Sequence, residues 1–354
     1  MINSLKFILS TQLKSSGINK TISGFTLIEL LVAMIMAVLI ITPLMAFMIN
    51  ILDGDRKEQA KATSEQEIQA ALDYIARDLE QAVYIYDADG VTRNTNTTTI
   101  SSSGIADQIP PIKSASSCSP TSGSNPSVCT PILVFWKRQL IADSVGITSS
   151  TQTGATNLDD GFAYSLVAYY LITNPNKDNP TWSQEARIGR FELRGPVNAA
   201  YANDNPGKKF NPGFNAPPLN KSGATLKDKM NQWQTALGAS ENYSSSTDNP
   251  VPVVILVDYI STTAPGFTIN TGTVASPAAA TDCPGTNPGS KLVGDQKSGF
   301  FACVDANEVL AQVYIRGNAL ARLQNNNPSY NNSTKTYFPS SSIRVQGHGF
   351  LFTK

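Results

Sequence analysis

The sequence predicts an α+β protein, with a long N-terminal helix, transmembrane in its first half, packed on a β-rich C-terminal domain with long loops. Three observations predict it. Between Phe25 and Leu52 the chain is apolar, with Glu29 its only charged side chain. Further on, Ile68, Leu72, Ile75, Leu79 and Val83 recur at spacings of four, three, four and four, a narrow apolar stripe on an otherwise polar helix. From residue 131 onward, short runs rich in β-branched and aromatic residues alternate with stretches rich in Ser, Thr, Asn, Pro and Gly.

In chain order, residues 1–24 read as a leader carrying Lys6, Lys14 and Lys20 and no acid, which keeps it cytoplasmic and puts whatever follows the membrane segment outside. Residues 25–52 span about 42 Å as a helix, more than the roughly 30 Å of bilayer hydrocarbon. A carboxylate near one end of such a segment costs a few kcal/mol in lipid, so Glu29 is expected to have a partner and a task. Pro43 removes a backbone hydrogen bond within the apolar helix, and a kink or a melted turn is expected there. Residues 53–88 are expected to continue the helix outside the membrane, with the stripe docked on a globular domain at 89–354. Residues 89–130 read as loop. Strands are expected at Pro131–Leu140, Ala163–Thr173, Ala186–Arg194 and Val251–Ile260, a hairpin at Phe300–Val304 and Val309–Ile315, and a last strand at Ile343–Phe352. A helix is expected at Leu226–Leu237.

Composition excludes several functions. Lys plus Arg and Asp plus Glu both number 27, so zero net charge gives no support for nucleic-acid binding. Charged residues make up 15%, which suits an exported, loop-rich domain. Four cysteines in such a domain point to two disulfides. Three connectivities are possible, and the local pairs Cys118–Cys129 and Cys283–Cys303 are expected. The single histidine, His348, supports neither a metal site nor a catalytic triad, and no P-loop is present. No cofactor and no enzymatic activity are expected. Asp87-Ala88-Asp89-Gly90 faintly suggests a calcium loop but lacks the downstream Glu, so these read as solvated turn acids. Trp136, Trp182 and Trp233 could stack on sugars but read as core or interface residues.

The stretch Ser23-Gly24-Phe25-Thr26-Leu27-Ile28-Glu29, with its apolar continuation, resembles the class III signal and N-terminal helix of type IV pilins and pseudopilins. The block SEQEIQAALDYIARDLEQAVYIYD at 64–87, followed by ILVFWKRQL, YSLVAYYLI and ARIGRFELR, looks like the larger minor pseudopilins of the J or W type. With TWSQEARI, MNQWQ and VYIRGNALAR, most of the chain is similar to the pseudopilins of the cyanobacterial hormogonium polysaccharide secretion system. The resemblance implies cleavage between Gly24 and Phe25 by the prepilin peptidase and N-methylation of Phe25. It also implies that Glu29 sets assembly and register against the Phe25 amine of a neighbour. Implied partners are other pseudopilins, the inner-membrane assembly platform and the membrane itself, with contact to polysaccharide a further option. The implied location is the inner membrane, then a periplasmic filament, and the implied task is polysaccharide export and gliding motility. A minor pilin of a retractile pilus, or a J-type pseudopilin of protein secretion, is the alternative. Pro43 lies slightly earlier than the helix-breaking proline of many pilins.

Overall fold

The computed structural model describes residues 24–118, 128–147, 157–173, 181–197, 210–244, 250–262, 283, 289–296, 298–323, 330 and 333–349. The leader before residue 24, most of the long loops and residues 350–352 of the expected last strand lie outside the described residues. The chain forms two compact units, Met1–Asp55 and Arg56–Lys354.

Helix α1 runs without interruption over Leu27–Glu80. Its first stretch is long and apolar enough to cross a membrane, and every residue from 24 to 56 is exposed. Pro43 sits inside this helix, which stays helical on both sides of it, so no melted turn is found. The preceding Thr42 hydroxyl donates back to the Val38 carbonyl at 2.7 Å.

In the second unit the character of α1 changes. Ala60, Ser64, Ile68, Ala71, Leu72, Ile75, Ala76 and Leu79 are buried along one face. Ile68, Leu72, Ile75 and Leu79 are each at most 2% exposed, and each burial is worth about 2 kcal/mol. Helix α1 ends at Glu80, eight residues before the expected boundary, and Val83 leaves the stripe for strand β1, Ala82–Ile85. The cause is tertiary. The segment Ala82–Ile85 pairs antiparallel with the edge of β2, and all four side chains are buried there, a better outcome for β-branched and aromatic residues than another helical turn. The freed carbonyl of Glu80 accepts the His348 amide at 3.0 Å.

Strands β2 (Val128–Ile147), β3 (Asn157–Thr173), β4 (Ala186–Pro196) and β5 (Val254–Ile260) complete an antiparallel sheet ordered β1-β2-β3-β4-β5. Helix α1 covers one face of it. The other face is covered by chain from residues 210–244, where Trp233 and Phe214 meet Trp136, and Tyr243 meets Phe191, in edge-on ring contacts. Within this layer only Leu226–Met230 is α-helical (α3, with the short α2 at Ala88–Thr92 preceding it). The helix expected as far as Leu237 stops early because Trp233 turns inward, its indole N–H donating to the Asn215 carbonyl at 2.9 Å.

The second sheet is β6 (Lys291–Val293), β7 (Phe300–Asp305), β8 (Leu310–Arg316) and β9 (Ser340–Gln346), in that order and antiparallel. It contains the expected hairpin, with Phe301 and Tyr314 stacked across it. Both sheets belong to the second unit and meet at a bridge between Ile260 and Gly317. Backbones approach so closely there that a Cβ on Gly299 would collide with the carbonyl oxygens of Ser261 and Arg316. The architecture is thus α+β, a long apolar-tipped helix followed by a β-rich domain with two antiparallel sheets.

Candidate functional site

Residues 24–29 are built by a helix start. The Glu29 amide donates to Thr26 O at 3.0 Å and to Thr26 Oγ1 at 3.4 Å, and the Leu30 amide donates to Thr26 O at 3.2 Å. The Thr26 hydroxyl in turn lies 3.4 Å from Glu29 Oε2. Thr26 is therefore the cap, and Glu29 holds its carboxylate over the first turn, where exposed amides and the helix dipole favour negative charge. Phe25 is 80% exposed. A side chain placed on Gly24 would meet no atom within 4 Å, so packing does not demand a small residue there. Gly24, Phe25 and Glu29 thus share one short, open segment.

A second constellation was not legible beforehand. Asp78, on the buried face of α1, accepts from Lys137 Nζ at 2.9 Å, Arg190 Nε at 2.8 Å and the Tyr169 hydroxyl at 2.7 Å. Arg190 also pairs with Glu192 at 2.8 Å, and Glu192 pairs with Lys137 and Arg194. Burial pushes the Asp78 carboxyl up, but the Arg190 hydrogen bond and charge, the Lys137 charge and the Tyr169 hydrogen bond outweigh it, leaving a net downward shift. Glu192 is also pushed up by burial, but Arg190, Lys137 and Arg194 bring it down to about 2. Asp78 and Glu192 are thus held ionised at neutral pH by their partners. These groups clamp α1 to β2, β3 and β4. They offer no acid poised to give up a proton near neutrality.

Asp87 and Asp89 are not solvated turn acids. They are 4% and 6% exposed, and Lys227 Nζ lies 2.6 Å from a carboxylate oxygen of each. Lys291 adds a contact of 2.7 Å to Asp89, and Arg93 another of 2.7 Å. Against burial, Lys227 and Lys291 bring Asp89 down to about 2. Both carboxylates are thus already paired with ammonium groups. Among the described residues no group of three or more His, Cys, Asp or Glu could hold a metal ion.

Cysteines join locally, Cys118 to Cys129 and Cys283 to Cys303. The first ties the loop before β2 to that strand, and the second ties residue 283 to β7. Trp136 and Trp233 are buried, at 0% and 1% exposure, whereas Trp182 is half-buried. His348 is exposed and takes part through its backbone amide. Comparisons of the chain with protein-family models, curated proteins and solved structures found no match.

Proposed function

We propose that this chain is a minor pseudopilin, a structural subunit of a type IV pilus-like machine that supports polysaccharide export and gliding motility. The observation that carries the reading is the pairing of a fully exposed apolar helix with a single carboxylate, Glu29, beside Gly24–Phe25. Gly24 is small where the fold makes no demand for smallness, as a peptidase recognition site would require. Further support comes from the stripe of α1 against an antiparallel sheet, the arrangement expected of a pilin-like spine. On this reading the fold is pilin-like, the leader is cytoplasmic and the β-rich domain is periplasmic.

The assembly step follows from charge. Cleavage after Gly24 frees a cationic amine on Phe25, which methylation leaves basic. Four residues separate Phe25 from Glu29, about 6 Å along a helix. A neighbouring subunit displaced by that distance brings its Phe25 amine level with Glu29. Each group alone costs about 3 kcal/mol in hydrocarbon, so pairing favours one register over the others. The domain beyond residue 55 then selects partners within the filament.

The test is Glu29→Gln. Glutamine keeps an acceptor over the Thr26 cap and removes only the charge, so the helix start survives. The expected outcome is a chain that is still cleaved and still in the membrane, but missing from sheared filaments, with export reduced. Incorporation and export at wild-type levels would overturn the pairing.

A further inference from the structure

A groove of about 890 Å³ lies in the second unit between α1, residues 181–184 and β5. That volume falls in the range of about 300–1,000 Å³ typical of ligand sites. Three aromatic rings line it: Tyr74, which is 46% exposed, with Trp182 and Tyr259, each half-buried. Each ring is steadied by a guanidinium, Arg190 at 5.6 Å from the Tyr74 centroid, Arg187 at 5.7 Å from Trp182 and Arg322 at 4.3 Å from Tyr259.

Tyr259 reaches the groove by a distortion. Ala186 is opposite Ile260 and Ile188 opposite Val257, so Asp258 and Tyr259 share the place opposite one residue of β4. This bulge sets Tyr259 at φ 59°, a left-handed conformation that costs a bulky side chain on the order of 1–3 kcal/mol. In a regular strand Asp258 and Tyr259 would face opposite ways. Here both line the groove.

The polar groups divide into two sets. The carboxylates are already engaged, while Arg322 Nε is buried without a partner among the described residues. Glu67 pairs with Arg322, and Asp258 accepts from the Ser183 amide at 2.8 Å, the Ser183 hydroxyl at 2.7 Å and the Tyr259 amide at 2.8 Å. The Tyr74 and Tyr259 hydroxyls and the Gln184 amide engage no hydrogen-bond partner among the described residues. A phenol or a carboxamide both donates and accepts, which matches a ligand hydroxyl that does the same. An anionic ligand would meet the carboxylates of Glu67 and Asp258, whereas a neutral one finds donors and acceptors between flat apolar ring faces.

We propose that this groove binds a neutral oligosaccharide, its sugar rings lying on Tyr74, Trp182 and Tyr259 and its hydroxyls bonding the phenols and the Gln184 amide. The groove is built from residues beyond 55 and owes nothing to Gly24, Phe25 or Glu29. Processing without saccharide binding, or binding without processing, therefore separates this inference from the proposed function.

The full chain, solubilised in a sugar-free zwitterionic detergent, is titrated calorimetrically with cellotetraose, xylotetraose, chitotetraose and the anionic tetramannuronate. The expected result is saturable binding of at least one neutral probe in the millimolar range or tighter, insensitive to salt. Trp182→Ala and Tyr74→Ala should each weaken it about tenfold or more, the loss of one ring contact. Both side chains are at the surface, and unchanged thermal unfolding of the variants checks that the fold is intact. Binding of no neutral probe, binding of tetramannuronate alone, or wild-type affinity in both variants would overturn the proposal.

Discussion

Asp78→Asn probes the clamp between α1 and its sheet. The side chain is only 10% exposed and meets two cations and a hydroxyl within 2.9 Å. Asparagine keeps the shape, removes the charge and turns a donor amide toward groups that are themselves donors. Breaking a buried pair costs about 3–5 kcal/mol. Glu192 still holds Arg190 at 2.8 Å and Lys137 at 3.6 Å, so the lower end, about 3 kcal/mol, is expected. For a domain of about 300 residues that is about 5 °C in unfolding temperature. The assay is thermal unfolding of the micelle-bound chain by near-ultraviolet circular dichroism, repeated from pH 7 to pH 2. Asp78 and Glu192 are both held below their ordinary values in the folded state. Their contribution is therefore complete above the unfolded carboxylate range and is lost as pH falls through the folded values, toward about 2 for Glu192. The gap between wild type and variant should narrow below about pH 4. A variant within 1 °C of wild type, or a gap of constant size across the range, would refute the reasoning.

Glu185 makes the opposite case: burial raises its carboxyl pKa despite hydrogen bonds from Asn318 and Thr262, and its Oε1 has no partner. Its folded state favours the protonated acid, so its contribution is present below the ordinary glutamate range and lost as pH rises through the folded value. Glu185→Gln should accordingly raise the unfolding temperature at pH 7 and do little at pH 4; destabilisation at pH 7 would contradict this. Cys283→Ser, which opens a loop of sequence separation 20, should cost about 3 kcal/mol and bring on early proteolysis of the β-rich domain. Equal protease resistance of wild type and variant under non-reducing conditions would count against it.

Much of this fold was legible because its signals are local. The apolar run starting at Leu27 and the stripe Ile68, Leu72, Ile75 and Leu79 are written in consecutive turns of one helix, and the strands are compact runs of β-branched and aromatic residues. What escaped was set by distant partners. Asp78 lies beside the stripe, and its partners Lys137 and Arg190 are 59 and 112 residues away along the chain. The run ARIGRFELR of β4 likewise mixes charged and apolar residues without a plain inward face. Arg190 and Glu192 serve the charged face under α1, and Phe191 serves the opposite face against Tyr243, so both sets are inward. Asp87 and Asp89 passed as turn acids because Lys227 and Lys291 are far along the chain. Helix α1 ended early because β2 offered Ala82–Ile85 an edge, a preference no window of local sequence contains. At the N-terminus the position is reversed: Gly24, Phe25 and Glu29 are adjacent in sequence, and the fold adds only that they are open and capped by Thr26.

The central claim is that this chain is processed between Gly24 and Phe25 and enters a filament through its new amine. The most direct measurement is the mass of the N-terminal peptide of the protein recovered from cells with and without their prepilin peptidase. The account predicts a peptide beginning at N-methylated Phe25, replaced by one that retains the leader when the peptidase is removed. A leader-bearing peptide in both strains would contradict it.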